Sequence, residues 1–344
     1  MNRLDEPIED LSSVKEDATM TSVRTTRGWR RAAVAVFAGA LAFGVTACGS
    51  SDDATGSGEP VTITHARGET TVTGTPEKVV ALGNQWLDSS LALGVVPVGY
   101  IDNVAAVSKT TPPWEPESLK SGKALNTTGN IAEQVAALEP DLILVDPFIA
   151  DQKTYDDLSK VAPTLPALTK DAVTPWQEQV TALGKVLRKE SDAAAVIKKV
   201  DDKVAAIATA NPGLKGKTFA STWLASPAQL MVLTDPNDGS AKVFTQLGMG
   251  IPANLTAQPA NQGRLALSPE RVDELSADLL LAGYSPGLDE KYRQLPGYNE
   301  LPSVKKGSVV FLTTQEISAI NQPSALSVPY ILDKLGPAFA AAAK

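Results

Sequence analysis

Histidine and cysteine, the residue types that most often serve as bases, nucleophiles and metal ligands, occur once each in this chain, at His65 and Cys48. Covalent hydrolysis needs a nucleophile, a general base and an orienting acid, and the base is usually a histidine. His65 lies in the early segment VTITHARGETTVT, where a lone histidine is typical of a surface or hairpin residue. One cysteine allows neither an internal disulfide nor a thiolate zinc site. We therefore expect no enzyme, no cofactor and no directly bound metal ion.

Cys48 directly follows a segment with the pattern of an export signal. Four arginines, ending at Arg31, precede an uncharged apolar run of 16 residues, 32–47. This run is shorter than the roughly 20 residues that span a bilayer and stops at small residues. Val45-Thr46-Ala47-Cys48 is similar to a bacterial lipobox, in which the chain is cut before the cysteine and the thiol is acylated. Residues 1–47 are thus predicted to be a signal peptide and Cys48 a lipid attachment point.

The residues on either side of the signal refine this prediction. Residues 1–19 carry six acidic and two basic side chains, which is unlike a signal peptide and compatible with a true start at Met20. Residues 48–59 are rich in Gly, Ser and Asp and are predicted to form a flexible tether. An exported protein, anchored to the outer face of the cytoplasmic membrane, follows from these features.

The charge and length of the remaining chain exclude some classes of protein and favour others. The net charge is −8, and it stays −8 without residues 1–47, because these contain six basic and six acidic side chains. A protein this acidic has no electrostatic reason to bind nucleic acid. The 285 residues from 60 to 344 exceed the commonest domain size, which favours two domains or lobes.

Predicted strands and helices alternate in the same order in both halves of this chain. The first half contains strands at 78–83, 95–102 and 141–146 and helices at 84–94 and 131–140. The second half contains strands at 217–225, 277–284 and 308–313 and helices at 240–249 and 268–277. Such alternation is typical of parallel βαβ units. The predicted fold class is α/β, with two Rossmann-like lobes at residues 60–189 and 213–344.

A single long helix is predicted between the lobes, at residues 190–212. Its apolar stripe runs from Ser191, an expected N-cap, to Asn211-Pro212-Gly213, a strong stop signal. A helix of about 20 residues is about 30 Å long and would join two lobes stiffly. Ligands of open α/β sheets bind outside the carboxyl ends of the strands, so any ligand is expected at those ends.

This pattern resembles the substrate-binding lipoproteins of iron-siderophore and cobalamin ABC importers, a class III periplasmic-binding-protein-like family. The likeness covers residues 61–340 and is carried by the lipobox, by GNIAEQVAALEPDLILV and by LSPERVDELSADLLLAGY. It implies two Rossmann-like lobes bridged by one rigid helix, with the ligand in the cleft between the lobes. It also implies a monomer that captures a ferric siderophore and delivers it to a membrane permease, whose cytoplasmic partner hydrolyses ATP.

Two glutamates carry over from this resemblance as permease-docking residues. Glu133 lies seven residues before Pro140, and Glu270 lies seven residues before Ala277, at matching places in the two halves. Each lobe of the family presents one such surface glutamate to arginines of the permease. A solvated glutamate favoured by the helix dipole would also explain either residue. In the second half, Ala277 replaces the usual proline before the aspartate.

The expected ligand site consists of loops that follow the strands. Ferric siderophores are anionic or neutral chelates with carbonyl oxygens and apolar edges, so arginine donors and aromatic walls suit them. Trp86 is equally compatible with a place in the core. The predicted ligand-binding residues are Asn84, Gln85, Trp86, Phe148, Trp223, Arg264, Tyr284, Gln315 and Asn321.

The sequence is also compatible with other ligands and with other classes of protein. Cobalamin or haem is the second candidate ligand, and haem commonly takes a Tyr or His axial ligand, for which Tyr284 is available. Zinc and manganese importers of the same architecture use several histidines, so iron is expected here as an Fe(III)-siderophore complex. A carboxylate-only glycosidase of the cell envelope, or an adhesion lipoprotein, is a more distant alternative.

Overall fold

A computed structural model of the protein describes residues 59–171 and 173–344. The predicted signal peptide, Cys48 and almost all of the predicted tether lie outside these residues. Within the described part of the chain, no helix combines the length and the apolar character needed to cross a membrane. The strands form one hairpin and two five-stranded sheets.

The first half folds into the hairpin and an all-parallel sheet, which we term the first lobe. Its strands are β1 (Val61–His65), β2 (Gly68–Val72), β3 (Val79–Leu82), β4 (Gly99–Ile101), β5 (Lys123–Ala124), β6 (Leu142–Val145) and β7 (Thr164–Leu165). Its helices are α1 (Asn84–Ala92), α2 (Asn103–Ser108), α3 (Ile131–Ala136), α4 (Gln152–Ser159) and α5 (Trp176–Val186), with a 3₁₀ turn at Glu117–Ser121. The order in the sheet is β5-β4-β3-β6-β7. β3 and β6 are buried throughout, which explains their continuous apolar sequences.

The long helix α6 follows, at Glu190–Ala210. It starts before the predicted cap: Lys189 occupies the N-cap and Ser191 lies in the first turn, so the Ser191 cap was wrong. The reason is the tight turn from α5, in which Arg188 has a positive φ and the Lys189 N–H donates to Gly184 O. The predicted stop is confirmed, because α6 ends at Ala210 with Asn211 as its C-cap.

The second half forms a mixed sheet, which with its helices we term the second lobe. Its strands are β8 (Phe219–Ser226), β9 (Gln229–Leu233), β10 (Arg264–Leu267), β11 (Leu279–Tyr284) and β12 (Val309–Leu312). Its helices are α7 (Gly239–Gln246), α8 (Ala253–Thr256), α9 (Asp289–Arg293), α10 (Pro302–Lys306), α11 (Thr314–Asn321) and α12 (Ser327–Ala342). Short 3₁₀ turns lie at Pro212–Leu214, Pro269–Leu275 and Tyr298–Glu300. The order in the sheet is β10-β9-β8-β11-β12.

The second sheet departs from the predicted repeat in two places. β9 and β10 were not predicted, and both run antiparallel to their neighbours, whereas β8, β11 and β12 are parallel. The predicted helix at 268–277 is the 3₁₀ turn Pro269–Leu275, interrupted by non-helical backbone at Arg271. The predicted α/β class with two lobes is confirmed, with one parallel and one mixed sheet.

One hydrophobic cluster runs through both lobes and α6. It contains Trp86 from the first lobe, Val200 from α6, and Phe219, Phe244 and Phe339 from the second lobe. Phe219 and Phe244 stack with their ring centroids 4.4 Å apart. Close-packed protein interiors are stiff and transmit strain, so this shared core couples the two lobes through α6.

Candidate ligand-binding cleft

The carboxyl ends of strands from both sheets meet where the lobes touch. Gln85, at the start of α1, donates from Nε2 to Pro323 O at 2.9 Å. Gln315, at the start of α11, donates from Nε2 to Thr110 O at 2.7 Å. These contacts bring the loops after β3 and β4 against the loops that follow β12, as expected for a ligand site of α/β sheets.

A cavity of about 650 Å³ opens beside β8, along Ser221, Thr222 and Trp223. Most of its wall belongs to the second lobe, and Phe148 of the first lobe closes one side. The wall combines apolar and aromatic side chains with several carboxamides, and Arg264 is the one charged side chain among its described lining residues. The lining residues include Phe148, Ser221, Trp223, Gln229, Met231, Asn261, Arg264 and Asn321.

Four of the predicted ligand residues lie on this wall: Phe148, Trp223, Arg264 and Asn321. Phe148, in the loop after β6, is 61% exposed, an unusual state for a large apolar side chain. Trp223 Nε1 and Ser221 Oγ are buried and have no hydrogen-bond partner among the described residues. Unpartnered buried polar groups are rare in folded proteins, so these two are candidates to bond a ligand.

Tyr284 and Gln315 lie elsewhere, in a smaller hollow of about 270 Å³ that also includes Ser108 and Thr110. The side-chain amide of Gln315 is engaged in hydrogen bonds within the protein, because Nε2 donates to Ser108 Oγ at 3.1 Å and to Thr110 Oγ1 at 2.8 Å. Gln315 therefore links α11 to the first lobe. Tyr284 lies beside Phe311, with a centroid distance of 6.2 Å.

Asn84, Gln85 and Trp86 line neither of these cavities, and all three are buried. Asn84 donates from Nδ2 to Asp102 Oδ1 at 2.7 Å, and its Oδ1 accepts the Asn103 N–H at 2.9 Å. Trp86 belongs to the shared hydrophobic cluster. The placement of these side chains gives them structural roles, in joining α1 to α2 and the first lobe to the second.

Arg264 forms an ion pair with Asp238, a residue that the sequence analysis did not single out. Arg264 Nη1 lies 3.0 Å from Asp238 Oδ2, and Nη2 lies 3.4 Å from Asp238 Oδ1. Asp238 is 3% exposed and caps α7 by accepting the Ser240 N–H at 2.8 Å. Its place just before Gly239 and Ser240 is an N-cap signature that could have identified it.

The first lobe contains a buried carboxyl group, Asp88 of α1, and two half-buried ones, Asp102 and Glu115. Asp88 Oδ2 accepts hydrogen bonds from Ser324 Oγ and from Trp114 Nε1, the latter at 3.1 Å. Burial raises the pKa of Asp88 to about 7. Burial, together with the nearby charge of Asp102, raises the pKa of Glu115 to about 9. No ion pair to Asp88, Asp102 or Glu115 occurs in the described part of the chain.

Glu133 and Glu270 are both exposed and lie in matching positions. Glu133 is in the first turn of α3, which precedes β6, and Glu270 is in the 3₁₀ turn that precedes β11. β6 pairs with β3, and β11 pairs with β8, so each glutamate precedes the equivalent strand of its sheet. Asn130 caps α3, and its Nδ2 donates to Glu133 Oε1 at 2.8 Å.

The described residues contain no group of three or more His, Cys, Asp and Glu side chains that could hold a metal ion. His65 lies in the β1–β2 hairpin, where it is 6% exposed and its Nε2 lies 2.9 Å from Thr70 Oγ1. Burial lowers the pKa of His65. Residues 283–287 read G-Y-S-P-G, the spacing of a hydrolase nucleophile elbow, but the histidine of the chain lies in the hairpin of the other lobe.

The periplasmic binding protein family matches this sequence over residues 79–316, which is more than half of the chain. The chain belongs to the periplasmic binding protein family. The predicted family is confirmed, and a periplasmic binding protein holds a substrate for transport and is not an enzyme.

Individual relatives and structures agree with this assignment. The chain is 27% identical over 250 residues to the "Probable siderophore-binding lipoprotein YfiY" of Bacillus subtilis, covering 69% of this chain and 74% of the relative. It is 31% identical over 219 residues to the ferric enterobactin-binding periplasmic protein FepB of Escherichia coli, covering 60% and 66%. A periplasmic solute binding protein of Mycobacterium smegmatis matches with a TM-score of 0.68 and 28% identity, covering 83% of this chain and 99% of that chain.

Proposed function

We propose that this periplasmic binding protein captures a ferric siderophore and delivers it to the permease of an ABC importer. The cavity beside β8 carries this proposal, because its volume of about 650 Å³ lies within the range of small-molecule sites. Its wall offers aromatic faces and carboxamide donors, and none of the described residues form a metal cluster. Iron bound here must therefore arrive inside its own chelator. The names of the relatives, siderophore-binding and ferric enterobactin-binding, agree with such a ligand.

The proposed mechanism is binding and release without chemistry. Trp223 and Phe148 contact the apolar edges of the chelate, and the carboxamides of Gln229, Asn261 and Asn321 bond its oxygens. Because one hydrophobic cluster joins both lobes and α6, ligand binding requires little movement of one lobe relative to the other. Iron is the cargo, and the protein needs no cofactor.

Delivery is proposed to use Glu133 and Glu270. Two separated carboxylates on one stiff body fix its orientation on a two-fold symmetric permease, and complementary charge accelerates the encounter. The protein works as a monomer in this scheme. The lobes at residues 60–189 and 213–344, with the bridging helix at 190–212, form that body.

Export and anchoring complete the proposal. Residues 1–47 direct export, Cys48 carries the lipid, and residues 48–59 tether the body to the outer face of the cytoplasmic membrane. Cys48→Ala should remove the protein from washed membranes or leave it unprocessed, as followed by membrane fractionation and mass spectrometry. Unchanged retention and processing would contradict lipid attachment at Cys48.

The binding proposal is tested by the intrinsic tryptophan fluorescence of the purified protein. We expect saturable quenching by at least one ferric siderophore, and none by its iron-free form or by free Zn²⁺ or Mn²⁺. Saturation by haem or cobalamin alone would replace the ligand with one of those. If no ligand of the panel changes the fluorescence, the proposal is overturned.

A further inference from the structure

We infer that the cavity beside β8 selects a ferric chelate that has no net charge over a polyanionic one. This inference rests on the proposed function and narrows it to one charge class of ligand. It follows from how Arg264, the charged side chain of the cavity wall, is held in the structure.

The guanidinium of Arg264 has little hydrogen-bonding capacity left for a ligand. Nη1 donates to Asp238 Oδ2 at 3.0 Å and to Gly263 O at 3.3 Å. Nη2 donates to Asp238 Oδ1 at 3.4 Å and to Ser240 Oγ at 3.3 Å. A guanidinium has five N–H groups, so these acceptors match its four Nη hydrogens and leave the Nε hydrogen.

The positive charge of Arg264 is also neutralised. The Asp238 side chain is 2% exposed, and Arg264 is its ion-pair partner. A buried carboxylate that loses its partner is strongly destabilised, so an anionic ligand would compete with Asp238 at a high cost. Asp238 cannot turn away easily, because it also caps α7 through the Ser240 N–H.

The rest of the polar wall is neutral. It consists of carboxamides such as Gln229, Asn261 and Asn321, with the unpartnered Trp223 Nε1 and Ser221 Oγ. Neutral donors suit the oxygens of an uncharged chelate. A polyanion placed here would lose its hydration without gaining a counter-charge, and the net charge of −8 would oppose its approach.

The inference is tested by calorimetric titration with two ferric chelates, one without net charge and one polyanionic. Ferrichrome, a trihydroxamate complex, is neutral, whereas ferric enterobactin, a tris-catecholate complex, carries three negative charges. We expect ferrichrome to bind at least about 100-fold more tightly, with an affinity that hardly changes between about 50 and 500 mM NaCl. Two ferrioxamine chelates separate the effect of charge from that of shape. They share one hydroxamate core, but one carries a neutral acetylated tail and the other an anionic succinylated tail. The acetylated form should bind more tightly.

A substitution of Asp238 tests whether its ion pair with Arg264 causes the selectivity for uncharged chelates. Asp238→Asn keeps the size and N-cap ability of the side chain but releases the charge of Arg264, so the affinity for the anionic chelates should rise about tenfold. Ferrichrome affinity should stay within about twofold. Ser240→Ala, which removes a neutral partner of Arg264, is the matched control and should not increase anion affinity. Thermal unfolding checks that each variant is folded.

The outcomes of these titrations distinguish the charge selectivity from the proposed binding of a ferric siderophore. Equal or tighter binding of the anionic chelates by the wild-type protein overturns the charge inference and leaves the proposed function in place. If none of the ferric chelates saturates the protein, the proposed function fails and the inference fails with it. If the Asp238→Asn variant folds normally and binds the anionic chelates no more tightly than the wild type, Arg264 does not control the charge selectivity.

Discussion

The two lobes share the order of their central strands but use the carboxyl ends of those strands differently. In the first lobe the ends of β3 and β6 are filled: Asp146 accepts the Gln85 N–H at 3.2 Å, and a Cβ on Gly83 would overlap the Asp146 carboxylate. In the second lobe β8 borders the cavity through Ser221, Thr222 and Trp223. The same topology thus supplies a contact surface in one lobe and a cavity wall in the other.

The source of this difference is the antiparallel pair β9 and β10. These strands extend the second sheet beyond β8, and each contributes side chains to the cavity wall, including Met231 from β9 and Arg264 from β10. In the first lobe, β4 and β5 occupy the corresponding edge and run parallel. Much of the cavity wall therefore comes from β9 and β10, the strands in which the second sheet differs from the first.

The electrostatics of the lobes differ in the same way. The buried Asp238 of the second lobe has an arginine partner, whereas Asp88 of the first lobe is stabilised only by neutral donors, Ser324 and Trp114. A buried acid without a cationic partner favours its protonated form. The first lobe should therefore be the source of pH dependence, and the second lobe the source of ligand affinity.

The largest expected effect is on ligand binding by the second lobe. Trp223→Ala removes the aromatic wall of the cavity and should lower the affinity for the bound ferric chelate by about 100-fold or more, as for a central aromatic anchor. Calorimetric titration measures this change. Trp114→Phe, in the first lobe, is the matched control and should alter affinity by less than about threefold. Similar losses in both variants would break the division between the lobes.

The next effect concerns the stability of the first lobe. The pKa of Asp88 is raised to about 7 in the folded protein, whereas an unfolded aspartate ionises near pH 4. Between these values the native Asp88 holds a proton that the unfolded state lacks, so the contribution of Asp88 to stability falls as pH rises from about 4 to 7 and then levels off. From pH 5 to pH 7 the loss should be about 2 kcal/mol, or about 4–8 °C in Tm.

Asp88→Asn should weaken this dependence, measured by thermal unfolding at several pH values. Some dependence of the same sign should remain, because burial also raises the pKa of Asp146 to about 7 and that of Glu115 to about 9. Parallel curves for the variant and the wild type would show that Asp88 is not the titrating group.

Sequence patterns predicted the α/β class and the long helix because these depend on local periodicity, whereas the family was predicted from the resemblance of whole segments. They missed β9 and β10, since short apolar segments such as LMVL carry no information about antiparallel pairing at a distance. They could not show that segments distant in sequence, including Pro323 and Ser324, cover the start of α1, where Asn84, Gln85 and Trp86 lie. The Arg264–Asp238 pair spans 26 residues and became visible only in three dimensions.

A smaller effect is expected for the two exposed glutamates. Together, Glu133→Ala and Glu270→Ala should leave chelate affinity unchanged and lower iron uptake by cells about tenfold, because the steering charges are lost. Radioactive iron uptake measures this, with Glu77→Ala and Glu290→Ala as a control that removes one exposed glutamate from each lobe. A fall in chelate affinity would instead place Glu133 or Glu270 at the ligand site.

The smallest effect concerns the contact between the lobes. Gln315→Ala removes the hydrogen bonds from α11 to Ser108 and Thr110, which should cost about 1 kcal/mol of stability. Chelate affinity should fall by less than about threefold, since Gln315 lines the smaller hollow and not the cavity beside β8. A loss as large as that of Trp223→Ala would move the ligand site towards Gln315.

The position of the bound iron shows which cavity of the protein holds the ferric chelate. Crystals grown with the ferric chelate that binds most tightly, measured at the iron absorption edge, give an anomalous difference map with one position for each bound iron. We expect one peak per molecule, in the cavity lined by Trp223, Arg264 and Phe148. A peak in the smaller hollow beside Tyr284, or on the acidic side chains of the first lobe, would contradict the account.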